Sequence, residues 1–335
     1  MQSKVSDRGR GLATQRPSFL AVLSDQWSPS SNPNGIVNLG LAENTLMHTE
    51  MVEYINSHGD FWNPARLLEV EFGEIDPFSM AAIQQYERAL TEAKNRGLRI
   101  NALVLCSPHN PLGSLGRCYP EDVLKEYLKF CSRNELHLIS DEIYALSVWD
   151  NPRLPDAPGF KSILSINLEG IIDPSLVHTL WGLSKDFGAT GLRIGCLVRG
   201  EDTNQRSPIS LYNIPSSLAD QVTTSLLLDD SFMTKYIAIN RTRLANSYHF
   251  ATKLLRSHGI PYFECNAAFF IWINLGAVVK DATADDILVR LRKERIYIAA
   301  GEHYAAEETG WFRLVFSHPL NVLEEGLKRI IKSIQ

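Results

Sequence analysis

The stretch that decides the fold covers residues 177–195 and reads Val177-His-Thr-Leu-Trp-Gly-Leu-Ser-Lys-Asp-Phe-Gly-Ala-Thr-Gly-Leu-Arg-Ile-Gly195. Its first four residues form an apolar-rich run, which is typical of a buried strand. A turn of small residues follows and carries Lys185, and Arg193 comes one loop later. The apolar run at 194–198 predicts another strand. Two strands around a lysine-bearing turn are typical of an α/β sheet with its chemistry at the strand ends.

The same alternation continues upstream of this stretch. Short apolar runs at 102–106 and 136–139 predict buried strands. Helical spacing of apolar residues at 79–96 and 120–133 predicts the helices that connect them, and 36–39 is a candidate short strand. Alternating strands and helices predict a doubly wound, mostly parallel α/β sheet.

The sequence after Arg199 has a more helical pattern and predicts a smaller α+β domain. Its predicted helices and strands are 231–258 (one long helix or two in series), 268–274, 283–293, 311–316 and 323–334. The 335 residues suit one large α/β unit and such a lobe. The predicted division is an N-terminal arm with part of the small domain (1–45), a large domain (46–232) and a small domain (233–335).

The composition excludes several classes of partner. Lys and Arg number 33 against 38 Asp and Glu, with interspersed signs, so we expect no nucleic-acid partner. The polar first residues lack the apolar core of a signal peptide, and no apolar run suits a membrane span. The five cysteines are scattered without metal-site spacing. We therefore expect a reduced, cytoplasmic protein without a structural metal.

Polar side chains follow the predicted strands of the large domain. Asn110 follows the strand at 102–106, Asp141 and Tyr144 follow the strand at 136–139, and Lys185 follows the strand at 177–180. Ligands of open α/β sheets bind outside the carboxyl ends of the strands, so these side chains are candidates for one site.

These residue types match the requirements of pyridoxal phosphate (PLP). Its aldehyde needs an amine, its ring nitrogen a carboxylate, its phenolic oxygen donors, and its phosphate a guanidinium such as that of Arg193. Taken singly, each residue also has an ordinary explanation, such as a helix-start lysine, an Asn-Pro turn or a solvated arginine. Only their combination favours the cofactor site.

Two residues are candidates for substrate binding. Arg313 lies between apolar residues of a predicted strand, where a charge is costly unless it is paired. Its partner is either a substrate α-carboxylate or an internal Asp or Glu. Glu43, in Leu39-Gly-Leu-Ala-Glu-Asn44, is the second candidate.

Other motifs are incomplete. Asp186-Phe-Gly188 is similar to a kinase element, but no Gly-rich or catalytic loop accompanies it. The residues around Ser184 resemble a nucleophile elbow that lacks its second glycine, which leaves a serine hydrolase as a minor alternative.

Together these segments resemble fold-type-I PLP enzymes of aminotransferase class I/II, and among them the 1-aminocyclopropane-1-carboxylate (ACC) synthase-like branch, particularly its fungal members. The resemblance covers most of the chain from about residue 25. The matching segments are Asn32-Pro-Asn-Gly-Ile-Val-Asn-Leu-Gly-Leu-Ala-Glu-Asn44, Ser107-Pro-His-Asn-Pro-Leu-Gly113, Gly116-Arg-Cys-Tyr-Pro120, His137-Leu-Ile-Ser-Asp-Glu-Ile-Tyr144, Leu183-Ser-Lys-Asp-Phe-Gly188, Gly191-Leu-Arg-Ile-Gly195 and Gly310-Trp-Phe-Arg313.

The resemblance implies an aspartate aminotransferase-type fold, PLP as cofactor, an α-amino acid as substrate and a homodimer. It makes Lys185 the catalytic Schiff-base lysine and Asp141 the partner of the ring nitrogen. It makes Asn110 and Tyr144 donors to the phenolic oxygen, with Arg193 a phosphate ligand. The remaining implied site residues are Ser184 for the cofactor and Glu43 and Arg313 for the substrate.

The chain departs from this family in two places. Family members have a long block of βα units and phosphate-binding backbone before the helix at 79–96, and here that block is missing near 60–70. The family's hydroxyl residue three positions before the lysine is Gly182. Lost strands would expose apolar sheet edges.

Three explanations fit these departures: an incomplete gene model or splice form, a functional shortened enzyme, or a decayed copy. A decayed copy could survive as a silent dimer partner. Transamination, γ-elimination and C–S β-cleavage all remain open as the reaction, and specialised metabolite biosynthesis is an expectation from the fungal branch.

Overall fold

The computed structural model describes residues 25, 27, 29–38, 70–111, 118–199, 215–279, 282–304 and 306–335. Up to residue 199, helices alternate with strands as the sequence predicts. The elements are β1 (Val37–Asn38), α1 (Ala82–Asn95), β2 (Ala102–Cys106), α2 (Glu121–Arg133), β3 (His137–Asp141), β4 (Val177–Gly182), α3 (Leu183–Asp186) and β5 (Gly195–Arg199).

Strands β2 to β5 form one sheet in consecutive order. β2, β3 and β4 are parallel, and β5 is antiparallel to β4. The register aligns Cys106 with Asp141, and Asp141 with Leu180. The three parallel strands therefore end side by side, as expected for a mostly parallel sheet.

Helix α2 covers one part of this sheet. Pro120 precedes it, and Glu121 and Asp122 in its first turn suit the positive end of the helix dipole. Its inner side chains join strand residues in the core of the large sheet, where Tyr127 also donates a hydrogen bond of 3.1 Å to the carbonyl of Pro77. Burial of this apolar face, more than helix propensity, stabilises the helix.

Both edge strands of this sheet carry partly exposed apolar side chains. Val104 in β2 is 41% exposed and Val198 in β5 is 37% exposed. Four of the five β5 residues are exposed. The described sheet thus has partly exposed apolar residues on both of its outer strands, and the shortening of the large domain stays a prediction.

The second half contains longer helices and a separate sheet. Its elements are α4 (Ser217–Leu227), α5 (Asp230–Ser257), β6 (Phe270–Asn274), α6 (Ala284–Lys293), β7 (Ile296–Tyr297), β8 (Ala299–Ala300), β9 (Trp311–Val315) and α7 (Leu320–Ile334). β6, β9 and β8 form an antiparallel sheet, and β1 pairs with β7. The residues around β1 therefore pair with the C-terminal lobe, and the predicted helix at 231–258 is a single helix, α5.

The lobe has its own core. Alternate side chains of β6 and β9, such as Ile271, Ile273 and Phe312, pack with residues of α5, α6 and α7. α6 starts with a capping box, in which Thr283 and Asp286 satisfy each other's backbone N–H groups. The proposed boundary at 232 lies within α5, and the division into domains stays a prediction. Within the described residues, no helix is both long and apolar enough to span a bilayer.

Candidate active site

The candidate site lies where β2, β3 and β4 end. Beyond the strands, the backbone N–H of Ser107 donates to the carbonyl of Asp141 at 2.9 Å, and that of Glu142 donates to the carbonyl of Leu180 at 2.9 Å. These bonds extend the sheet into its loops and fix the start of each one. Polar side chains of these loops thus have defined positions at one edge.

Lys185 lies in the short helix α3, directly after β4. Its side chain is only 6% exposed. The turn is closed by backbone hydrogen bonds of 3.1 Å from Gly188 to the carbonyl of Lys185 and from Ala189 to the carbonyl of Leu183. A buried lysine in a fixed turn is a common setting for an amine that acts in catalysis.

Gly182 is the last residue of β4, and it lies where there is little space for a side chain. A Cβ atom on Gly182 would lie 3.0 Å from the carbonyl oxygen of Ile194 and 3.2 Å from the Cα of Gly195. Gly195 is its partner in the β4–β5 register. The position that usually carries a hydroxyl in the resembling family is thus filled by a residue that lets two strands approach closely.

Asp141 and Tyr144 share the loop after β3. The Asp141 carboxylate accepts a hydrogen bond of 3.2 Å from the backbone N–H of Ile143. Tyr144 is buried, and its ring packs edge-to-face against Phe269 and Phe270 at 5.2 and 5.5 Å between centroids. Burial raises the pKa of Tyr144 far above its ordinary value, so its hydroxyl keeps its proton and is a donor.

Arg313 connects the C-terminal lobe to this edge. It is 3% exposed in β9, and its Nη1 donates a hydrogen bond of 2.9 Å to Oδ1 of Asn110. Its guanidinium carbon lies 5.1 Å from the Phe270 ring centroid and 4.6 Å from that of Tyr304. Burial is the largest effect on the pKa of Tyr144 and raises it, and the nearby positive charge of Arg313 opposes this rise only in part. The structure therefore brings Arg313, Asn110 and Tyr144 together.

Arg193 and Ser184 have less enclosed positions. Arg193 is exposed, has a φ of 58°, and donates from Nη1 to the carbonyl of Thr190 at 3.2 Å. Ser184 is half-buried, and its carbonyl accepts from the Thr190 hydroxyl at 3.1 Å. Their cofactor roles stay predictions. Glu43 lies outside the described residues, so its role stays a prediction as well.

Two buried carboxylates belong to the same region and carry no role in the sequence analysis. Glu142 accepts from the Ser140 and Ser162 hydroxyls and from the backbone of Ile163. Desolvation raises its pKa above the ordinary value. The second carboxylate, that of Asp186, is directly adjacent to Lys185.

Asp186 is fully enclosed and strongly hydrogen-bonded. It accepts from the Ser147 hydroxyl at 2.7 Å, the Leu146 backbone at 3.0 Å and Nε1 of Trp181 at 3.3 Å. Burial raises its pKa from 3.8 to about 6, although its hydrogen bonds act in the opposite direction. Its position directly after Lys185, in the turn that follows a predicted strand, is the sequence signal that could have identified this residue.

The donors and acceptors of this edge fit the ring end of PLP. They comprise a buried amine, a carboxylate and a protonated phenol at neighbouring strand ends. Within the described part of the chain, the buried Ser107 hydroxyl at this edge has no hydrogen-bond partner, so it can serve a ligand. For the phosphate end, the described residues offer the exposed Arg193. Among the residues that the structure describes, no three metal-ligating side chains form a group.

Known proteins resemble this chain in sequence and fold. The family model for aminotransferase class I and II matches residues 62–330. A 1-aminocyclopropane-1-carboxylate synthase-like protein 1 of Bos taurus is 34% identical over 268 residues, or 78% of this chain and 51% of that protein. A probable aminotransferase of Aspergillus oryzae is 34% identical over 262 residues, or 76% of this chain and 60% of that protein.

A solved structure agrees with these relatives. The aspartate aminotransferase from Thermus thermophilus with maleate superimposes with a TM-score of 0.61 at 22% identity, covering 75% of this chain and 60% of that one. The overall fold is thus of the aspartate aminotransferase type. The chain spans between half and two thirds of the length of these proteins. Because the family model matches most of its residues, this chain belongs to the class I and II aminotransferase family.

Proposed function

We propose that this chain is a PLP-dependent enzyme that acts on an α-amino acid, with Lys185 as its catalytic amine. The observation that carries the proposal is the buried position of Lys185 at the edge that also holds Asp141 and Tyr144. PLP, when bound, supplies an aldehyde for an amine and a ring that stabilises negative charge at a substrate carbon.

Each residue has a distinct task in this proposal. The Lys185 amine binds the cofactor and moves a proton at the substrate α-carbon. The Asp141 carboxylate keeps a proton on the ring nitrogen. The protonated Tyr144 hydroxyl donates a hydrogen bond to the phenolic oxygen, which its raised pKa supports. Asn110 is the second donor, Ser184 is a further cofactor contact, and Arg193 binds the phosphate.

Arg313 is the proposed clamp for the substrate carboxylate. Its Nη1 donates a hydrogen bond of 2.9 Å to Oδ1 of Asn110, which orients the guanidinium. The rings of Phe270 and Tyr304 flank the guanidinium and restrict its motion. A planar, oriented guanidinium suits bidentate binding of a carboxylate. Glu43 is proposed as a further substrate contact.

Among the possible reactions we propose transamination, because the similar Aspergillus oryzae protein is a probable aminotransferase. Two other reactions need the same proton removal at the α-carbon. They are γ-elimination, which the ACC synthase-like relatives suggest, and C–S β-cleavage. A role in specialised metabolite biosynthesis belongs to the same proposal. Substrate screening with product analysis separates these reactions.

The proposal includes a homodimer in the cytoplasm. Leu218 and Leu228 on and beside α4 are 76% and 77% exposed, which supports a partner surface there. All five cysteines lie in the described part of the chain, and none of them forms a disulfide, which suits a reducing compartment.

A second candidate function is a catalytically silent protein that pairs with an intact relative. Two observations favour it. The chain spans only 51% and 60% of the length of the two relatives, and Arg193, the residue proposed for the phosphate, is exposed. In this case, the folded chain would not retain PLP.

The test is an absorption spectrum of the purified chain with PLP, followed by borohydride reduction and peptide mapping. The proposal expects a visible band and a reduced adduct on the peptide that contains Lys185. The variant Lys185→Ala is the control and should carry no adduct. A folded wild-type chain without any adduct would support the silent protein instead.

A further inference from the structure

We infer that Asp186 is the positioning residue of Lys185, and that it fixes the lysine turn to the loop that carries Tyr144. The inference rests on the proposed function, since it concerns how the catalytic amine is held. Asp186 does not act on substrate or cofactor itself. Its role follows from the position of its three hydrogen-bond donors and from a fourth contact at its backbone.

The side chain of Asp186 connects two separate segments. Two of its donors, the Leu146 N–H and the Ser147 hydroxyl, belong to the loop after β3, and lie 40 and 39 residues away in sequence. The third, Nε1 of Trp181, belongs to β4. A single carboxylate thus holds α3 against both the strand before it and a distant loop.

The backbone of Asp186 is held from another side. The hydroxyl of Tyr236 in α5 donates to the carbonyl of Asp186 at 3.1 Å. The Tyr236 ring also stacks on Phe187, the next residue, at 4.9 Å between centroids and 14° between planes. The residue after the lysine is therefore fixed through its side chain, its carbonyl and its neighbour.

The loop after β3, which supplies the Leu146 and Ser147 donors, is held by further hydrogen bonds. The backbone N–H of Ser147 donates to the carbonyl of Tyr144 at 3.0 Å, and the carbonyl of Ser147 accepts from Ala268 at 2.8 Å. The carbonyl of Leu146 accepts from Nε of Arg241 at 3.1 Å. Asp186 therefore sets the position of Lys185 relative to Tyr144 and to the lobe that carries Arg313.

An ionised carboxylate suits all three of these contacts. All three groups that reach the Asp186 side chain are donors, and an ionised carboxylate offers acceptors only. In an amide of the same shape, the oxygen can still accept from Leu146 and Trp181, but the NH₂ group faces the Ser147 hydroxyl, which must then accept instead of donate. The amide also lacks the charge that strengthens all three hydrogen bonds. Asp186→Asn should therefore loosen the turn without removing volume.

The experiment compares Asp186→Asn with the matched control Glu142→Gln. Glu142 is a buried carboxylate that also accepts from three donors, but these lie in the segments around 140 and 162 and not at the lysine turn. The first measurement is the rate at which acetic anhydride acetylates Lys185 in the cofactor-free protein, followed by mass spectrometry. The exposed Lys129 is the internal reference.

We expect Asp186→Asn to raise the acetylation rate of Lys185, relative to Lys129, about tenfold or more, because the neutral amide weakens these hydrogen bonds and loosens the turn. Glu142→Gln should change that rate less than twofold, even with a similar loss of melting temperature. The second measurement is the amount of borohydride-reduced PLP adduct at limiting PLP, which should fall several-fold in Asp186→Asn alone.

Equal Lys185 acetylation rates and equal adduct in the two variants would overturn the inference. If wild type forms no adduct at all, the proposed function fails, whereas the acetylation rates still decide whether Asp186 positions the lysine. If Asp186→Asn does not fold, Ser147→Ala and Tyr236→Phe each remove one contact of the residue. Those variants should raise Lys185 acetylation by a smaller factor, and an unchanged rate in both would overturn the inference.

Discussion

The raised pKa of Asp186 predicts a specific pH dependence of stability. The perturbation is Asp186→Asn, and the quantity is the free energy of unfolding at pH 7 and at pH 5. The ordinary pKa of 3.8 applies to the unfolded chain, and burial raises it to about 6 in the folded chain. The folded state therefore binds this proton more tightly than the unfolded state.

The sign of the effect follows from this order. The contribution of Asp186 to stability is fully present below pH 3.8 and is lost as the pH rises through about 6. The complete loss corresponds to about 3 kcal/mol. On acidification from pH 7 to pH 5, wild type should regain about 1.3 kcal/mol that Asp186→Asn cannot regain.

Urea unfolding at the two pH values measures this quantity, because the other titrating groups are common to both proteins and largely cancel. The stability of wild type minus that of the variant should therefore increase by about 1.3 kcal/mol on acidification. Ser147→Ala is a useful control, since its hydroxyl lowers the pKa of Asp186. Its loss should enlarge the pH dependence. A difference that is constant with pH, or that decreases on acidification, would refute the assigned burial effect.

Three further changes test the site and the fold. Arg313→Lys should raise the KM for the amino acid at least about tenfold because it removes the guanidinium fork, with little change in PLP retention; equal effects on both would contradict the clamp. Gly182→Ser should lower the free energy of unfolding by about 1–3 kcal/mol, because its Cβ would lie 3.0 Å from the Ile194 carbonyl. A neutral result would show that β5 moves away easily. Leu138→Ala, at a fully buried position in β3, should lower that free energy by about 2–5 kcal/mol in urea unfolding. A loss below about 1 kcal/mol would contradict a close-packed sheet core.

Local sequence patterns predicted most elements of the fold. The apolar runs gave the strands, and the structure extends two of them to Asp141 and Gly182, since backbone pairing continues into polar and small residues. The helix predicted from residue 79 begins at Ala82, because a tight turn with a hydrogen bond from Ser79 to Asp76 precedes it. Local periodicity does not report such turns.

Local sequence patterns could not predict some contacts of the candidate site. Asn110 and Arg313 are 203 residues apart, and their hydrogen bond depends on how the two lobes pack. Two of the three donors to Asp186 are about 40 residues away from it, so its burial and raised pKa depend on the folded loop. The positions of Lys185, Asp141 and Tyr144 at strand ends were predictable, because parallel strands end at one edge.

Helix α5 connects the lysine turn to the core of the C-terminal lobe as one uninterrupted element. Tyr236 near its start contacts Asp186, and Leu255 near its end is fully buried in that core. Leu255 lies 19 residues after Tyr236, which corresponds to a helical rise of about 29 Å. With such a lever arm, a tilt of about 5° at the Leu255 end moves the Tyr236 end by about 2.5 Å, nearly the length of a hydrogen bond. Small rotations of the lobe would thereby become larger displacements beside Lys185.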